Sequence, residues 1–444
     1  MNKVLLKKDT VTKKILLISH IFPPQGGPRS IRWTYFIRYL SNMGYQFDVL
    51  TIGQKNKTAY TGGGMVDALP SSVKIHRVHP GLFHWITREV LPQKEKGING
   101  NGDNAGKNSA IRLRVLLRRL YHNGFSNLFI PDKTAEWIIS GAWQLPKLRN
   151  QKHHLIISNA SPFSSHVLGY IYAGSTGLPW IVDYGDPWTF GSMNEFRSWR
   201  QKLNKSIEKR VLRKAHHIVV TTEETKLGFL SAHPFLSDEN ISIISQGFDP
   251  NIYETTPAEK GNLFRIVYTG IFYDQGRNPH AFFTALKNIA NLDMEVIIAG
   301  DILTHQISIV KELALGNKVI FLGRQSFERC VGLQKGADVL LLIGNASCYQ
   351  LPGKIFEYFG ARKPILVLKN CDHGLAARMV EEQRRGIVVD GTNVDYISKA
   401  ICELYELKRL NMLDTHFNLS GPSIEKYTWQ SSAKKMSDVV GKFC

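Results

Sequence analysis

Long apolar runs are missing from this 444-residue chain: none reaches the roughly 18 residues that a membrane-crossing helix requires, so a bilayer-spanning reading is excluded. Cysteine is scarce. The five present, Cys330, Cys348, Cys371, Cys402 and Cys444, are odd in number and form no CxxC pair, which argues against a disulfide framework or a structural zinc site and favours a reducing cytosol. Low-complexity tracts and internal repeats of about 20–50 residues are also lacking, and with them any solenoid or array. The opening stretch MNKVLLKKDTVTKK is basic but runs into a short strand-like segment, with no apolar signal region or small-residue cleavage site, so export is not expected. Negative charge is the other deficit, 37 acidic against 56 basic residues.

What is present points to two soluble cores. The length exceeds the roughly 250–300 residues at which single cores stop growing, and a mean hydropathy of −0.17 with 43% hydrophobic residues is ordinary for globular proteins. Of the net charge of +19, residues 1–255 hold +15 and residues 256–444 only +4. A basic half meets nucleic acid, anionic lipid or phosphorylated substrates, and charge alone does not choose among them.

Residues Ile15 to Ser19 read as a strand, followed by the loop HIFPPQGGPRS and a helix with Trp33, Phe36, Ile37 and Leu40 on one face. A second strand over Phe47 to Thr51 completes a β-loop-α-β unit of a parallel, doubly wound sheet. Further strands are expected at Leu155 to Ser158, Trp180 to Val182 and Ile218 to Thr221. Between them, 81–130 reads as irregular except for a basic amphipathic helix within 110–122. There Leu113, Leu116, Leu117 and Leu120 form a stripe flanked by Arg112, Arg114, Arg118 and Arg119. A turn-rich linker at 250–262 separates the halves. Beyond it strands are expected at 264–268, 295–299, 319–322, 339–343, 364–368 and 386–389, with a terminal helix after the second sheet. The fold class is thus α/β, with domains 1–255 and 256–444.

Three clusters have chemical potential. Gly26 and Gly27, between the first strand and first helix, let backbone N–H groups approach an anion at a helix N-terminus; the bland reading is a simple turn. In WIVDYGDPWT, Asp183 and Asp186 end an apolar strand where open α/β sheets bind ligands, and Trp188 is placed to cover a sugar face; a turn cap and a core tryptophan are the alternative. In YQLPGKIFEYFG, Gly353 and Lys354 open a helix whose free N–H groups and ammonium suit a diphosphate. Glu357 lies three residues on, on the same face, to accept ribose hydroxyls; a solvated pair in a first turn is the bland reading.

These motifs, with ISQGFDP, YTGIFYDQGRNP and PGKIFEYFGARKPIL, resemble the retaining glycosyltransferases of family four with the GT-B fold, in the branch that builds bacterial surface polysaccharides. The resemblance implies two Rossmann-like domains facing across a cleft, acceptor on the first and nucleotide sugar on the second. It makes Gly26, Gly27, Gly270, Arg277, Gly353, Lys354 and Glu357 donor-side residues, with Arg277 and Lys354 as the diphosphate clamp. Asp183, Asp186 and Trp188 become acceptor-side residues, and Asp186, Arg277 and Lys354 the catalytic set. No metal or other cofactor is expected, because cationic groups and helix termini can stabilise the leaving diphosphate. Three positions depart from the family pattern: Tyr349 stands eight before Glu357, where a glutamate positions the donor sugar; Gly185 stands where an arginine is usual; Gln246 replaces an asparagine.

The reading is transfer of a sugar from a nucleoside diphosphate to a lipid-linked or oligosaccharide acceptor, in the cytoplasm at the inner membrane face, with the 110–122 segment on anionic lipid. A nucleotide-sugar epimerase of the same architecture is the nearest alternative. A nucleic-acid-binding role rests on charge alone, and no motif supports it.

Overall fold

The computed structural model describes residues 13–53, 69–81, 129–190, 198–272, 277–345, 349–372, 374–419 and 422–444. The amphipathic segment 110–122 therefore lies outside the described residues.

The first sheet contains β1 (Lys13–Ser19), β2 (Tyr45–Ile52), β3 (Lys74–Val78), β4 (Leu155–Ala160), β5 (Trp180–Tyr184), β6 (His217–Val220) and β7 (Ile241–Ile243). They are parallel, in the order β3-β2-β1-β4-β5-β6-β7. The second sheet contains β8 (Phe264–Thr269), β9 (Met294–Ala299), β10 (Val319–Gly323), β11 (Val339–Ile343), β12 (Ile365–Lys369) and β13 (Gly386–Asp390). It repeats the pattern as β10-β9-β8-β11-β12-β13, again parallel. Each sheet winds outward from its first strand and then reverses, the doubly wound arrangement expected. Strands covered on both faces need apolar residues at every position, and β1 (Ile15, Leu16, Leu17, Ile18) and β11 (Val339 to Ile343) are buried throughout.

Two connections differ from the expectation. The segment read as a turn-rich linker begins as a helix, Pro250–Thr255. Asp249 accepts a bond from the N–H of Asn251, and Pro250 sits where a missing N–H costs nothing. The strands β3 and β7 were not expected; the short, polar KIHRV and the three-residue ISI give no clear period.

The terminal helix, Trp429–Gly441, follows the second sheet in sequence but packs against the first. Trp429, Ala433, Met436, Val439 and Val440 share a buried cluster with Ile15, Leu17, Trp33, Phe36 and Ile37. Trp429 stacks on Tyr35 at 5.3 Å and meets Phe36 edge-on at 5.9 Å. The outgoing and returning chains touch: Phe248 N–H donates to Tyr427 O (3.1 Å), and Trp429 N–H donates to Phe248 O (2.9 Å).

Candidate functional site

A doubly wound sheet leaves a crevice at the carboxyl ends of the strands flanking its reversal. Those strands are β1 and β4 in the first sheet and β8 and β11 in the second. The loop after β1 holds Gly26 and Gly27. The loops after β8 and β11 hold Gly270, Arg277, Gly353 and Lys354. Topology alone thus brings the glycine loop and the residues expected on the donor side to the edges where ligands collect.

On the first side, Gly27 precedes the Pro28–Asn42 helix with φ +131°, a left-handed value that disfavours a side chain, and Pro28 opens the helix proper. The helix begins with no acidic residue in its first turn to offset its positive end.

The clusters at the end of β5 divide. Asp183 is fully buried and bound within its own domain: Arg32 Nε and Nη2 donate to its two oxygens at 2.9 and 3.0 Å, and Trp33 Nε1 donates at 2.9 Å. Trp188 is fully buried too, its ring stacked on Phe163 at 5.0 Å and its Nε1 donating to Asn204 (3.0 Å). Neither side chain is placed to meet an acceptor. The core took both, because a carboxylate facing two donors and an indole facing an aromatic ring are already satisfied where they are. Asp186 differs: its side chain is 39% exposed and accepts a bond from Gln350 Nε2 of the second domain at 3.1 Å.

On the second side, the Lys354–Ala361 helix starts directly after Gly353. Lys354 Nζ lies 2.9 Å from Glu357 Oε2, so the two groups expected to serve a diphosphate and a ribose pair with each other. Burial lowers the affinity of Lys354 for its proton, but Glu357 more than offsets this with help from Cys330 and Tyr268, leaving the ammonium above the ordinary lysine value.

Gln334, which sequence reading missed, fixes Glu357. It is fully buried, and its Nε2 donates to Glu357 Oε2 (3.1 Å) and to Thr269 Oγ1 (2.8 Å), while its Oε1 accepts from Tyr253 OH (2.9 Å). A polar residue on the buried face of a helix, three after Val331, is the signal it offered. Gly270 follows Thr269 directly, so the end of β8 and the Glu357 carboxylate are tied by one amide. Arg277 Nε donates to Asn345 Oδ1 at 2.7 Å, which holds this cation to the loop after β11 that leads to Lys354.

Between the sides, Thr225 Oγ1 donates to Tyr349 O (3.1 Å) and the Phe190 and Tyr349 rings meet edge-on at 5.6 Å. Arg378 pairs with Glu224. Tyr349, at the position of the absent glutamate, is thus a domain contact. Among the described residues, no group of three or more His, Cys, Asp or Glu side chains is placed to hold a metal ion.

Residues 264–407 match the family model described as Glycosyl transferases group 1. No curated protein matches the chain in sequence. Among solved structures, a glycosyltransferase from Rickettsia africae ESF-5 is similar over 98% of this chain and 99% of its own, at 13% identity and TM-score 0.64. The Anabaena protein HepE in complex with UDP is similar over 97% and 100%, at 15% identity and TM-score 0.63. A UDP-N-acetylglucosamine 2-epimerase is similar over 97% of both chains, at 12% identity and TM-score 0.56. The chain therefore has the two-domain GT-B fold, and its second domain bears the sequence pattern of group 1 glycosyl transferases.

Proposed function

We propose that this protein transfers a sugar from a nucleoside diphosphate to an acceptor, with retention of anomeric configuration, in the synthesis of a bacterial surface polysaccharide. The observation that bears most weight is the start of the Lys354–Ala361 helix. The Lys354 ammonium, the start of a helix and a carboxylate buttressed by Gln334 lie together at the switch point of the second sheet. That spacing matches a diphosphate followed by a ribose. HepE, of the same fold, was solved with UDP, which supports a nucleotide there.

Leaving-group departure needs positive charge where the diphosphate charge grows, and Lys354 with Arg277 supplies it. Asp186 orients a hydroxyl of acceptor or donor from the first side. Transfer is expected to proceed in excess chelator, because these fixed cations take the place of an ion; complete loss of activity in chelator, restored by magnesium or manganese, would contradict this.

A lipid-linked acceptor places the enzyme on the cytoplasmic membrane face. Support comes from the Ser198–Lys214 helix, with seven basic residues against one acidic, and from the exposed Trp143 (81%) and Trp199 (47%) on the same domain. No described helix is long and apolar enough to cross a membrane.

The epimerase reading is kept because a 2-epimerase shares the fold. Incubation with UDP-sugars, with and without membrane extract, separates the two. Sugar incorporated into a lipid-extractable product with release of UDP supports transfer; isomerised donor in the absence of acceptor supports epimerisation.

A further inference from the structure

Tyr253 stands on the short helix, Pro250–Thr255, that carries the chain from the first sheet to the second, yet its hydroxyl belongs to the hydrogen bonds behind Glu357. That helix is seated from three sides. Its N-cap, Asp249, pairs with Arg38 of the first domain at 3.3 Å. Lys335, next to Gln334, donates to the carbonyls of Tyr253 and Thr256 at the other end. The Tyr253 and Phe248 rings press on Gly360 of the Lys354–Ala361 helix, where a Cβ would lie 2.7 Å from each. The position of the Tyr253 hydroxyl is therefore fixed by the way the linker helix is docked.

A primary amide has a donor end and an acceptor end, and a buried one must be turned to suit all its neighbours at once. Gln334 Nε2 directs its two protons to Thr269 Oγ1 and Glu357 Oε2, and Oε1 accepts from Tyr253. Burial, before any nearby charge, holds the Tyr253 pKa well above the ordinary tyrosine value, so the hydroxyl keeps its proton and donates. Turned the other way, the amide would set its oxygen against the Glu357 carboxylate with no proton between them. Lys354 and Gln334 both hold Oε2 of Glu357, and no described residue donates to Oε1. We propose that Tyr253 is a positioning residue for the nucleotide: by donating to Gln334 it holds the amide, and through it Glu357, in the orientation that leaves Oε1 for a ribose hydroxyl. Donor affinity then depends on the docking of the helix between the domains, one side chain behind the carboxylate that meets the ligand. This rests on the nucleotide reading of Glu357.

The test titrates the full-length protein with UDP, dTDP, GDP and ADP, comparing wild type, Tyr253→Phe, Glu357→Ala and the double variant, with melting temperature as the fold control. Tyr253→Phe keeps the ring and loses only the hydroxyl. Affinity for the diphosphate that binds wild type most tightly is expected to fall about 3- to 10-fold, the usual size of a hydrogen bond between neutral groups. In the Glu357→Ala background the same substitution should cause no further loss, because the carboxylate through which Tyr253 acts is gone; a tyrosine that only supports the fold would weaken both backgrounds alike. In sugar transfer to a membrane extract, the loss should fall on the donor KM and leave kcat nearly unchanged. Should Tyr253→Phe fail to fold, Tyr253→Phe with Gln334→Leu replaces both partners by apolar groups of similar size, and its affinity should fall at least as far, again only where Glu357 is present. Unchanged affinity in folded Tyr253→Phe, or equal losses with and without Glu357, overturns the proposal and leaves the nucleotide reading standing. A wild type that binds none of the four diphosphates, or a Glu357→Ala variant that binds as wild type does, removes that reading and the proposal together.

Discussion

Glu357 is held by two donors, Lys354 and Gln334, and its own side chain is no part of the apolar core that packs the helix. Glu357→Ala is therefore expected to leave the fold intact and to weaken donor binding by roughly 10- to 100-fold, since a hydrogen bond to a charged group contributes about 1.5–3 kcal/mol. Calorimetric titration with UDP checks it, and unchanged affinity would remove Glu357 from the site. Gly185→Ala is expected to cost about 1–3 kcal/mol, because its methyl group meets the Arg29 guanidinium and the neighbours must shift; urea unfolding measures it. His166 sets an acid limit. Its folded pKa of about 3 lies below the unfolded value of 6.5, so its contribution is complete above pH 6.5 and is lost as pH falls toward 3. Each pH unit within that window removes about 1.4 kcal/mol, and His166→Gln should flatten the slope of unfolding free energy between pH 6.5 and 4. His217, pushed down to about 4 by burial and then by Lys442, adds to the wild-type slope and leaves part of it in the variant.

At the scale of elements, the terminal helix ties the end of the chain to the first core. Trp429→Ala is expected to destabilise the first domain by about 3–5 kcal/mol, as removal of a buried tryptophan generally does, although the residue lies beyond the second sheet in sequence. Hydrogen exchange that shows loosening in β1 and the Pro28–Asn42 helix would confirm it; loosening confined to residues 264–419 would contradict it. The central strands of both sheets were legible, unlike β3 and β7, because a parallel sheet covered on both faces demands unbroken apolar runs, and ILLIS, LIIS and VLLLI are such runs. The destination of the terminal helix was not legible: its apolar stripe shows that Trp429, Ala433 and Met436 are covered, and nothing local says by which sheet. The segment 110–122 remains an expectation from sequence. Replacing Arg112, Arg114, Arg118 and Arg119 by Gln should release the protein from anionic liposomes at low salt while leaving its melting temperature nearly unchanged.

For the whole molecule, the site is a meeting of two sheet edges, and that explains which residues the sequence could reveal. Lys354, Gly353 and Glu357 form a local pattern at one helix start, and local patterns are readable. Asp183 and Trp188 looked like Asp186 in sequence, yet only Asp186 reaches the second domain. The difference depends on Arg32, Trp33, Phe163 and Asn204, which the fold brings in from elsewhere. Arg29 and Gly185 lie 156 positions apart, and no single-chain pattern links them before the fold does. The central claim, that a nucleoside diphosphate binds at the start of the Lys354–Ala361 helix, is tested most directly by thermal unfolding of the wild-type protein and of Glu357→Ala across a series of nucleoside diphosphates. At 100 times its dissociation constant, a diphosphate that binds the native state adds about 2.7 kcal/mol, so the wild-type melting temperature should rise clearly, and the same concentration should leave Glu357→Ala well behind. A wild type whose melting temperature responds to no nucleoside diphosphate, or a variant that responds as fully as wild type, would contradict the account.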